Sequence, residues 1–377
     1  MKKRFIKVLV ISFIYICVIF TGFSSNSNTK ANAAYSTSMI TIEAESGRIL
    51  YENNAYEKRP MASTTKILTA ITVIENTDIN QMVKVDDKAV GIEGSSIYLQ
   101  HGEQLKVIDL LHGLMLQSGN DCAVALAIYT AGSVEKFADM MNGLAKRIGA
   151  NNSNFTNPHG LHDDKHYTTA YDLAKISAYA MKNEIFRKIV STKTYTIPYQ
   201  NHEYNRVIKN KNKIIFNFNG GNGIKTGYTK KAGRCLVASA NRNNMTVITV
   251  VLNCPSMFEE CSFLMEKAFS EYDLTTIVNK NEEITKAYVK NGKEKYLPLY
   301  CKNKIQYPLK QNEKELLEVK LDIYELTAPI KKEKICGKVY VTLNNQLLFE
   351  EFLYNIYSVD SESIIDNFID ILDNWSN

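Results

Sequence analysis

Cysteine and histidine are scarce in this sequence, and neither is arranged as disulfide scaffolds or zinc peptidases require. The 377 residues include seven cysteines and six histidines. They contain no Cys-x-x-Cys pair and no His-Glu-x-x-His string, and the cysteines are too sparse for a disulfide framework. We expect most cysteines to be buried small apolar residues.

A cluster between residues 159 and 166 is the one candidate for metal binding that we consider. Its histidines and aspartates could ligate zinc, which keeps a metallopeptidase as an alternative. Their spacing suits a polar loop better, so we predict neither a metal nor a cofactor. The cluster consists of His159, His162, Asp163, Asp164 and His166.

Excess positive charge is also missing once the first 33 residues are set aside. The whole chain has 45 Lys+Arg against 40 Asp+Glu, a formal net charge of +5. Residues 1–33 contain five basic residues and no acidic one, so the remainder has 40 of each sign. Bulk charge therefore gives no reason to expect nucleic acid or a strongly anionic membrane as a partner.

Residues 1–33 are typical of a secretory signal peptide. A basic start is followed by an apolar run from Val8 to Phe23, and small residues stand at Ala31 and Ala33. A signal peptidase needs small residues at this spacing, so we predict cleavage before Ala34 and export. An uncleaved membrane anchor is the alternative, because the apolar run is not far short of bilayer length.

Strand-like segments open and close residues 34–275. The first two form a hairpin, and the later ones are joined by connections so short that neighbours must pair antiparallel. Strands at both ends predict one sheet in which the first hairpin meets the last strands. The predicted strands are Ser38–Ala44, Ile49–Glu52, Gly223–Gly227, Arg234–Ala240 and Thr246–Leu252.

Apolar helices separate these two groups of strands. One begins after Pro60 and has Ser63 in its first turn. A second, around residues 108–116, breaks at Ser118-Gly119 and is followed by the Ala-rich segment 121–131. The fold class expected is α+β, an antiparallel sheet with helices on both sides.

The remaining chain predicts a small all-β domain over residues 276–359 and an acidic amphipathic helix over 360–377. The β domain contains no catalytic constellation, and its strands are Glu283–Val289, Lys295–Leu299, Leu317–Tyr324 and Lys338–Leu348. The helix would either pack on its own domain or make a peripheral membrane contact. Its apolar side would consist of Ile364, Phe368, Ile371, Leu372 and Trp375.

Three short strings occur in one order along the chain: Ser63-Thr64-Thr65-Lys66, Ser118-Gly119-Asn120 and Lys225-Thr226-Gly227. Other S-x-x-K strings begin at Ser27 and Ser133, but neither is followed by both partner strings in a suitable context. The ordered set provides a serine nucleophile with a lysine in place of the usual histidine base.

The first string supplies the reacting groups. Residues three apart on a helix share a face, so Lys66 can reach the hydroxyl of Ser63. To act as a base, Lys66 must be uncharged. Burial, the helix N-terminus and a nearby cation such as Lys225 would each favour its uncharged form. We assign proton relay to Ser118, and oxyanion stabilisation to the backbone N–H groups of Ser63 and Tyr228.

The other two strings supply the substrate contacts. Asn120 offers an amide to the substrate backbone, and Lys225 with Thr226 would hold a substrate carboxylate. Gly227 would leave space for a peptide to lie along the strand. The Ser118 string alone would also fit a helix-breaking turn.

The chain resembles the D-alanyl-D-alanine carboxypeptidases of the low-molecular-mass penicillin-binding protein family. The likeness extends beyond the three strings to "MASTTKILTA", "SGNDCAVALA", "NPHGLHDDKHYTTAYDLA" and "GIKTGYTKKAGRCLVASA". It implies a transpeptidase/β-lactamase-like catalytic domain, acylation of Ser63 by a peptidoglycan stem peptide, release of the terminal D-alanine and hydrolysis by water. It also implies acylation by β-lactams, action at the cell wall or the outer face of the cytoplasmic membrane, and a further carboxylate-binding residue that falls on Lys211.

Two further functions are considered beside this resemblance. A class A-like β-lactamase would share Ser63, Lys66 and Lys225, but it needs a glutamate for deacylation, and no E-x-x-L-N string follows Ser118. A non-catalytic wall-binding protein is the other, although each of the matched positions retains its chemistry. The acidic C-terminal segment departs from the basic anchor of many relatives.

Overall fold

The structure is a computed structural model that describes residues 38–200 and 202–363. The signal peptide predicted for residues 1–33 lies outside these ranges, as does most of the helix predicted for 360–377. No α-helix within the described ranges is long and apolar enough to cross a membrane.

Seventeen strands and eight α-helices occur in the described residues. The helices are α1 Lys66–Asn76, α2 Val107–His112, α3 Asn120–Ala131, α4 Val134–Ile148, α5 Ala170–Lys182, α6 Glu184–Ser191, α7 Ile214–Asn217 and α8 Met257–Glu271. The strands before residue 254 are β1 Ser38–Glu43, β2 Ile49–Asn53, β3 Met82–Lys84, β4 Gln104–Lys106, β5 Thr194–Ile197, β6 Arg206–Lys209, β7 Gly221–Thr229, β8 Gly233–Arg242 and β9 Met245–Leu252. The later strands are β10 Asp273–Val278, β11 Glu283–Lys290, β12 Tyr296–Cys301, β13 Ile305–Leu309, β14 Leu317–Ile323, β15 Leu326–Thr327, β16 Ile335–Leu343 and β17 Gln346–Asn355.

The first domain is built on a five-stranded antiparallel sheet of order β2-β1-β9-β8-β7. Successive residues of a strand point to opposite faces, and each face of this sheet is apolar. Val237 and Val250 join the core shared with helices α1 to α6, whereas Leu236, Ala238 and Val251 pack under α8. The predicted fold class is therefore confirmed, with helices on both sides of the sheet.

The local structure around the three strings differs in detail from a plain helix. Ser63 lies in a 3-10 turn, Ala62–Thr65, that leads directly into α1. The helix expected around residues 108–116 is α2 followed by a π-helical turn, Gly113–Gln117, which ends at Ser118. The short hairpins β3–β4 and β5–β6 interrupt the region expected to be helical.

The second domain is rich in strands, as predicted. A six-stranded sheet of order β14-β16-β17-β12-β11-β15 lies beside the pair β10–β13. The single strand expected at Lys338–Leu348 is wrong, because the chain reverses at Asn344-Asn345 and forms the hairpin β16–β17. Both asparagines have positive φ, 51° and 64°, a conformation that asparagine tolerates and that tight hairpin turns require.

The alternation at Val319, Leu321 and Ile323 does occur in a strand, but it does not bury these side chains. β14 is the edge strand of the sheet, and the three residues are 46%, 40% and 37% exposed. Alternation thus predicted the strand correctly while giving no information on whether the apolar face is covered. At the domain's end, Ser361 bridges to Gly292, so residues 360–363 continue the β domain.

All six cysteines in the described ranges are buried free thiols, as expected from their sparse placement.

Candidate active site

The three strings meet at one cleft of about 330 Å³ between the edge strand β7 and the end of the π-helical turn. Its lining includes Ser63, Ser118, Lys211, Thr226 and Tyr228. Segments distant in sequence are brought together because β7 lies against the 3-10 turn that contains the serine. The cleft is open on the outer side of β7, where an extended peptide could pair with the strand edge.

Lys66 lies behind this lining and is fully buried. Its Nζ is 3.1 Å from the Oγ of Ser63. Two further oxygens surround the same atom: the Oδ1 of Asn120 at 2.7 Å and the carbonyl oxygen of His159 at 2.6 Å. An uncharged amine has two N–H groups and one lone pair, so these two acceptors leave the lone pair directed at the serine hydroxyl.

Burial holds the pKa of Lys66 well below its usual range, and the charge of Lys225 lowers it further. Lys225 is itself buried, which lowers its pKa to about 7, and the neighbouring charge of Lys211 adds to that effect. Burial also lowers the pKa of Lys211. Three amines close together in a poorly solvated site disfavour one another's charged forms.

Ser118 stands at the point where the π-helical turn ends. Its φ of 65° is left-handed, a conformation uncommon for serine and often found at functional sites. Its Oγ is buried and has no hydrogen-bond partner among the described residues. A buried polar atom without a partner is costly, and a bound substrate could supply the missing hydrogen bond.

Asn120 connects Lys66 to a loop at the rim of the cleft. Its Oδ1 accepts from Lys66, and its Nδ2 donates to the carbonyl oxygen of Glu93 at 2.5 Å. The neighbouring Asp121 accepts from the backbone N–H of Ile97 at 3.0 Å and of Leu99 at 3.1 Å. The Asn120 side-chain amide, which we expected to face the substrate, is thus hydrogen-bonded through both polar atoms. Its oxygen bonds Lys66 and its nitrogen bonds the loop.

Gly227 lies where β7 approaches the turn that contains Ser63. A Cβ atom at this position would lie 3.0 Å from the backbone nitrogen of Ser63 and 3.1 Å from the carbonyl oxygen of Met61. Only glycine allows this approach without displacing the turn. The following residue, Tyr228, lines the same cleft, which places the two backbone segments assigned to the oxyanion side by side.

The basic residues of the cleft occupy two depths. Lys211 lines the cleft and donates to the carbonyl oxygen of Gln117 at 2.8 Å, whereas Lys225 is 1% exposed beneath it. Thr226 lines the cleft between them. Lys211 and Thr226 are therefore the groups that a ligand in the cleft would meet first.

The loop Asn157–Leu161 closes the site from the other side, a role that sequence reasoning missed. The His159 carbonyl accepts from Lys66, and a Cβ on Gly160, whose φ is 87°, would lie 2.0 Å from the carbonyl oxygen of Ala62. The Asn-Pro-x-Gly sequence is typical of a turn. It does not indicate that this turn packs against the segment that contains Ser63.

His166 is fixed as a neutral ring next to this loop. The N–H of Thr156 donates to its Nδ1 at 3.0 Å, so its Nε2 donates to the Oγ1 of Thr65 at 2.8 Å. That hydroxyl donates in turn to the carbonyl of Ala62. Burial lowers the pKa of His166 to about 4 and that of His159 to about 3. Within the described residues, no group of three or more metal-ligating side chains is assembled.

A serine hydroxyl beside a buried lysine amine is suited to acyl transfer, and the fold and cleft fit a serine-type acyl-transfer enzyme. Comparison with known families gives the particular member of that class. Residues 25–256 match the D-alanyl-D-alanine carboxypeptidase family, and residues 272–361 match the penicillin-binding protein 5 C-terminal domain. The chain belongs to the D-alanyl-D-alanine carboxypeptidase family, so the resemblance inferred from the sequence is confirmed.

Individual relatives are similar over most of the chain. D-alanyl-D-alanine carboxypeptidase DacF of Bacillus subtilis is 31% identical, with 92% of each chain covered. DacC of Escherichia coli is 30% identical over 90% of this chain and 88% of its own. The crystal structure of penicillin binding protein 5 from Haemophilus influenzae superposes with a TM-score of 0.74 at 27% identity, covering 87% of this chain and 98% of that one. These findings support a serine-type carboxypeptidase and do not favour the β-lactamase alternative.

Proposed function

We propose that the enzyme acts outside the cytoplasm on peptidoglycan stem peptides, with Ser63 as its nucleophile and Lys66 as its base. The contact of the buried Lys66 amine with the Ser63 hydroxyl, at 3.1 Å, is the observation that carries this proposal. Export is inferred from the signal peptide predicted for residues 1–33. A peripheral membrane contact would be made through the acidic segment 360–377.

The first half-reaction forms an ester on Ser63. Lys66 accepts the hydroxyl proton while Oγ attacks the carbonyl carbon of the penultimate D-alanine. The backbone N–H groups of Ser63 and Tyr228 stabilise the oxyanion. As the intermediate collapses, its C–N bond breaks, and Ser118 relays the proton from Lys66 to the leaving amine. Terminal D-alanine departs, and water then hydrolyses the ester.

Recognition of the D-alanine carboxylate is assigned to the basic end of the cleft. Lys211 and Thr226 face the ligand, and Lys225 adds positive charge from beneath. A substrate carboxylate bound here would also stabilise the charged form of these amines. Asn120 holds the base in place, and it can bond the substrate backbone through Nδ2 if that atom leaves the Glu93 carbonyl.

β-Lactams are proposed to acylate Ser63 by the same route, because their strained amide and carboxylate resemble a D-alanyl-D-alanine terminus. Rapid release of the resulting ester would require a base for water, which class A β-lactamases supply with a glutamate. The described lining of the cleft contains no glutamate. A stoichiometric, slowly released adduct is therefore expected.

The test combines D-alanine release with intact-mass analysis after penicillin treatment. We expect the wild-type protein to release D-alanine from an acylated D-Ala-D-Ala peptide and to gain one penicillin mass on the peptide that contains Ser63. Ser63→Ala should lose both. Full activity in that variant would refute the assignment of the nucleophile.

Ser133→Ala is the matched control because Ser133 also begins an S-x-x-K string. Its Oγ accepts from the N–H of Lys136 at 3.2 Å and caps α4, away from the cleft. Loss of this cap should cost about 1 kcal/mol of stability. Labelling by penicillin should persist in this variant.

A further inference from the structure

We propose that four aromatic side chains next to the cleft bind a sugar ring of the glycan strand to which the stem peptide is attached. Tyr98, Tyr199, His202 and Tyr204 are called the aromatic platform here. The inference rests on the proposed function, since it concerns the remote part of the same substrate. The proposed ligand of this surface is an uncharged ring that carries hydroxyl groups.

Tyr98 and Tyr204 are exposed, and three of the four rings, Tyr199, His202 and Tyr204, contact one another. Tyr98 is 78% exposed and Tyr204 is 64% exposed. Tyr199 stacks on His202 with ring centroids 3.7 Å apart and meets Tyr204 edge-on at 5.9 Å. Exposed aromatic groups of this kind combine a flat apolar face with polar edges, which suits the C–H face and hydroxyl rim of a sugar.

A buried ion pair holds the aromatic platform in shape. The guanidinium of Arg206 lies 3.6 Å from the Tyr199 ring centroid and donates to both oxygens of Glu103, at 2.6 and 2.9 Å. The two charged side chains are only 8% and 1% exposed. Arg206 also donates to the carbonyl oxygen of Tyr98 at 3.0 Å. One residue therefore fixes Tyr98 and Tyr199 relative to each other.

The backbone of Tyr98 is held in a strained conformation that turns its ring to solvent. Its φ is 62°, which is unusual for a bulky residue, and its N–H donates to the Oγ of Ser96 at 2.8 Å. Strain of this kind persists where the surroundings impose it, and it is concentrated at functional sites. The Tyr98 ring is not packed in a hydrophobic core, so core packing does not explain this conformation.

Two short segments of chain connect the aromatic platform to the cleft. Ser95 lines the cleft, and Tyr98 is three residues further along the same loop, so their Cα atoms are at most about 11 Å apart. Strand β6 begins at Arg206 and ends two residues before Lys211, which also lines the cleft. About three extended residues would span such a distance, which is within the length of a stem peptide.

The polar groups on the platform favour a neutral ligand. Gln100 Nε2 lies 3.2 Å from the Tyr199 hydroxyl and 3.1 Å from the Nε2 of His202, so amide and ring nitrogens stand at the edge of the stack. The charge of Arg206 is already balanced by Glu103. An N-acetylated sugar matches these groups better than the carboxylates of a peptide or a polyanion does.

The experiment compares D-alanine release from a sugar-free pentapeptide with release from the same peptide on a wall disaccharide. Wild-type protein should have a higher kcat/KM for the disaccharide substrate. In the double variant Tyr98→Asn, Tyr204→Ala, we expect the ratio of the two kcat/KM values to fall about tenfold. Asparagine is chosen because it tolerates the left-handed backbone at position 98. Tyr56→Ala, which removes another exposed ring, should leave the ratio as in wild type.

Direct binding keeps the proposal testable if the double variant does not fold. Chitotetraose, a peptide-free chain of N-acetylglucosamine, should bind wild-type protein in calorimetry and lose affinity in the double variant. No binding to wild type, or an unaltered kcat/KM ratio in a folded double variant, would overturn the aromatic platform as a sugar site. If wild-type protein released no D-alanine even from the sugar-free peptide, the proposed function itself would fail with it.

Discussion

At the scale of single residues, the site depends on a lysine that the fold deprives of water. A charged amine buried without a carboxylate partner is strongly disfavoured, and the uncharged form relieves that cost. Lys66 has two carbonyl-type acceptors, on Asn120 and His159, and these satisfy the N–H groups of a neutral amine. The same burial that makes the charged lysine costly therefore favours the uncharged form that the proposed base requires.

His166 gives the folded protein a dependence on pH. Its pKa is lowered from the ordinary 6.5 to about 4, so the folded state resists the proton that the unfolded chain binds. Stability should be full above pH 6.5 and should fall towards pH 4, with about 2 kcal/mol lost between pH 7 and pH 5 from this residue. Urea unfolding at these two pH values measures the loss.

His166→Asn is the variant that isolates this effect, since its amide oxygen can still accept from the Thr156 N–H while the side chain no longer titrates. We expect a smaller difference in unfolding free energy between pH 7 and pH 5 than in wild type. His101→Asn removes an exposed imidazole and should keep the wild-type difference. An equal pH dependence in wild type and His166→Asn would show that His166 is not responsible.

The sequence predicted which side chains meet at the cleft better than it predicted what surrounds them. Ser63, Lys66 and Ser118 belong to strings whose spacing already carries chemical meaning. The His159 carbonyl and the Thr65–His166 bond could not be predicted, because a backbone oxygen has no signature in sequence and each contact joins residues about a hundred positions apart.

At the scale of elements, the turn before α1 is braced by the loop Asn157–Leu161. Gly160 has a φ of 87° and touches the Ala62 carbonyl, so any side chain there must displace one segment. We expect Gly160→Ala to lower the rate of penicillin labelling by about 100-fold, because Ser63 and Lys66 would lose their alignment. A fluorescent penicillin and a rapid-quench gel measure this rate.

Gly132→Ala is the matched control for that substitution. Gly132 has a similar φ of 82°, but its Cβ position is open space. Its substitution should therefore cost about 1 kcal/mol of stability through backbone strain and leave labelling near the wild-type rate. Equal loss of labelling in both variants would mean that general destabilisation, not alignment, explains the Gly160 result.

Strands were predicted correctly where the apolar pattern was long. A reversal of the chain was missed where asparagines form the turn. Strand-like apolar segments bounded by turn residues predicted β1, β8 and β9 to within a few residues. The same pattern extended one strand through Asn344-Asn345, since neither glycine nor proline marked the reversal. The π-helical turn before Ser118 also escaped prediction, because one extra residue per turn scarcely alters an apolar pattern.

At the scale of the whole molecule, Arg48 joins the two domains. It immediately precedes β2, pairs with Glu313 at 2.5 Å and donates to the Pro308 carbonyl. The rings of Tyr272 and Tyr307 lie about 5 Å from the same guanidinium. Sequence alone could suggest two domains, but not this contact, which links residues more than two hundred positions apart.

A double-mutant cycle on Arg48→Ala and Glu313→Ala tests this junction. We expect a coupling energy of about 1 kcal/mol or more, because both side chains are mostly shielded from water, and we expect the two domains to unfold in separate steps. Lys338→Ala breaks a pair with Glu350 inside the second domain. In this variant the two domains should still unfold together in one transition. Additive effects with one unaltered transition would contradict the proposed junction.

The account depends most on the charge state of Lys66, and NMR titration of the lysine side-chain amines measures it directly. Comparison with Lys66→Arg identifies the resonance of this amine. We predict that it loses its proton well below the ordinary lysine pKa of about 10.4. A Lys66 amine that stays charged up to that ordinary value would contradict its role as the base.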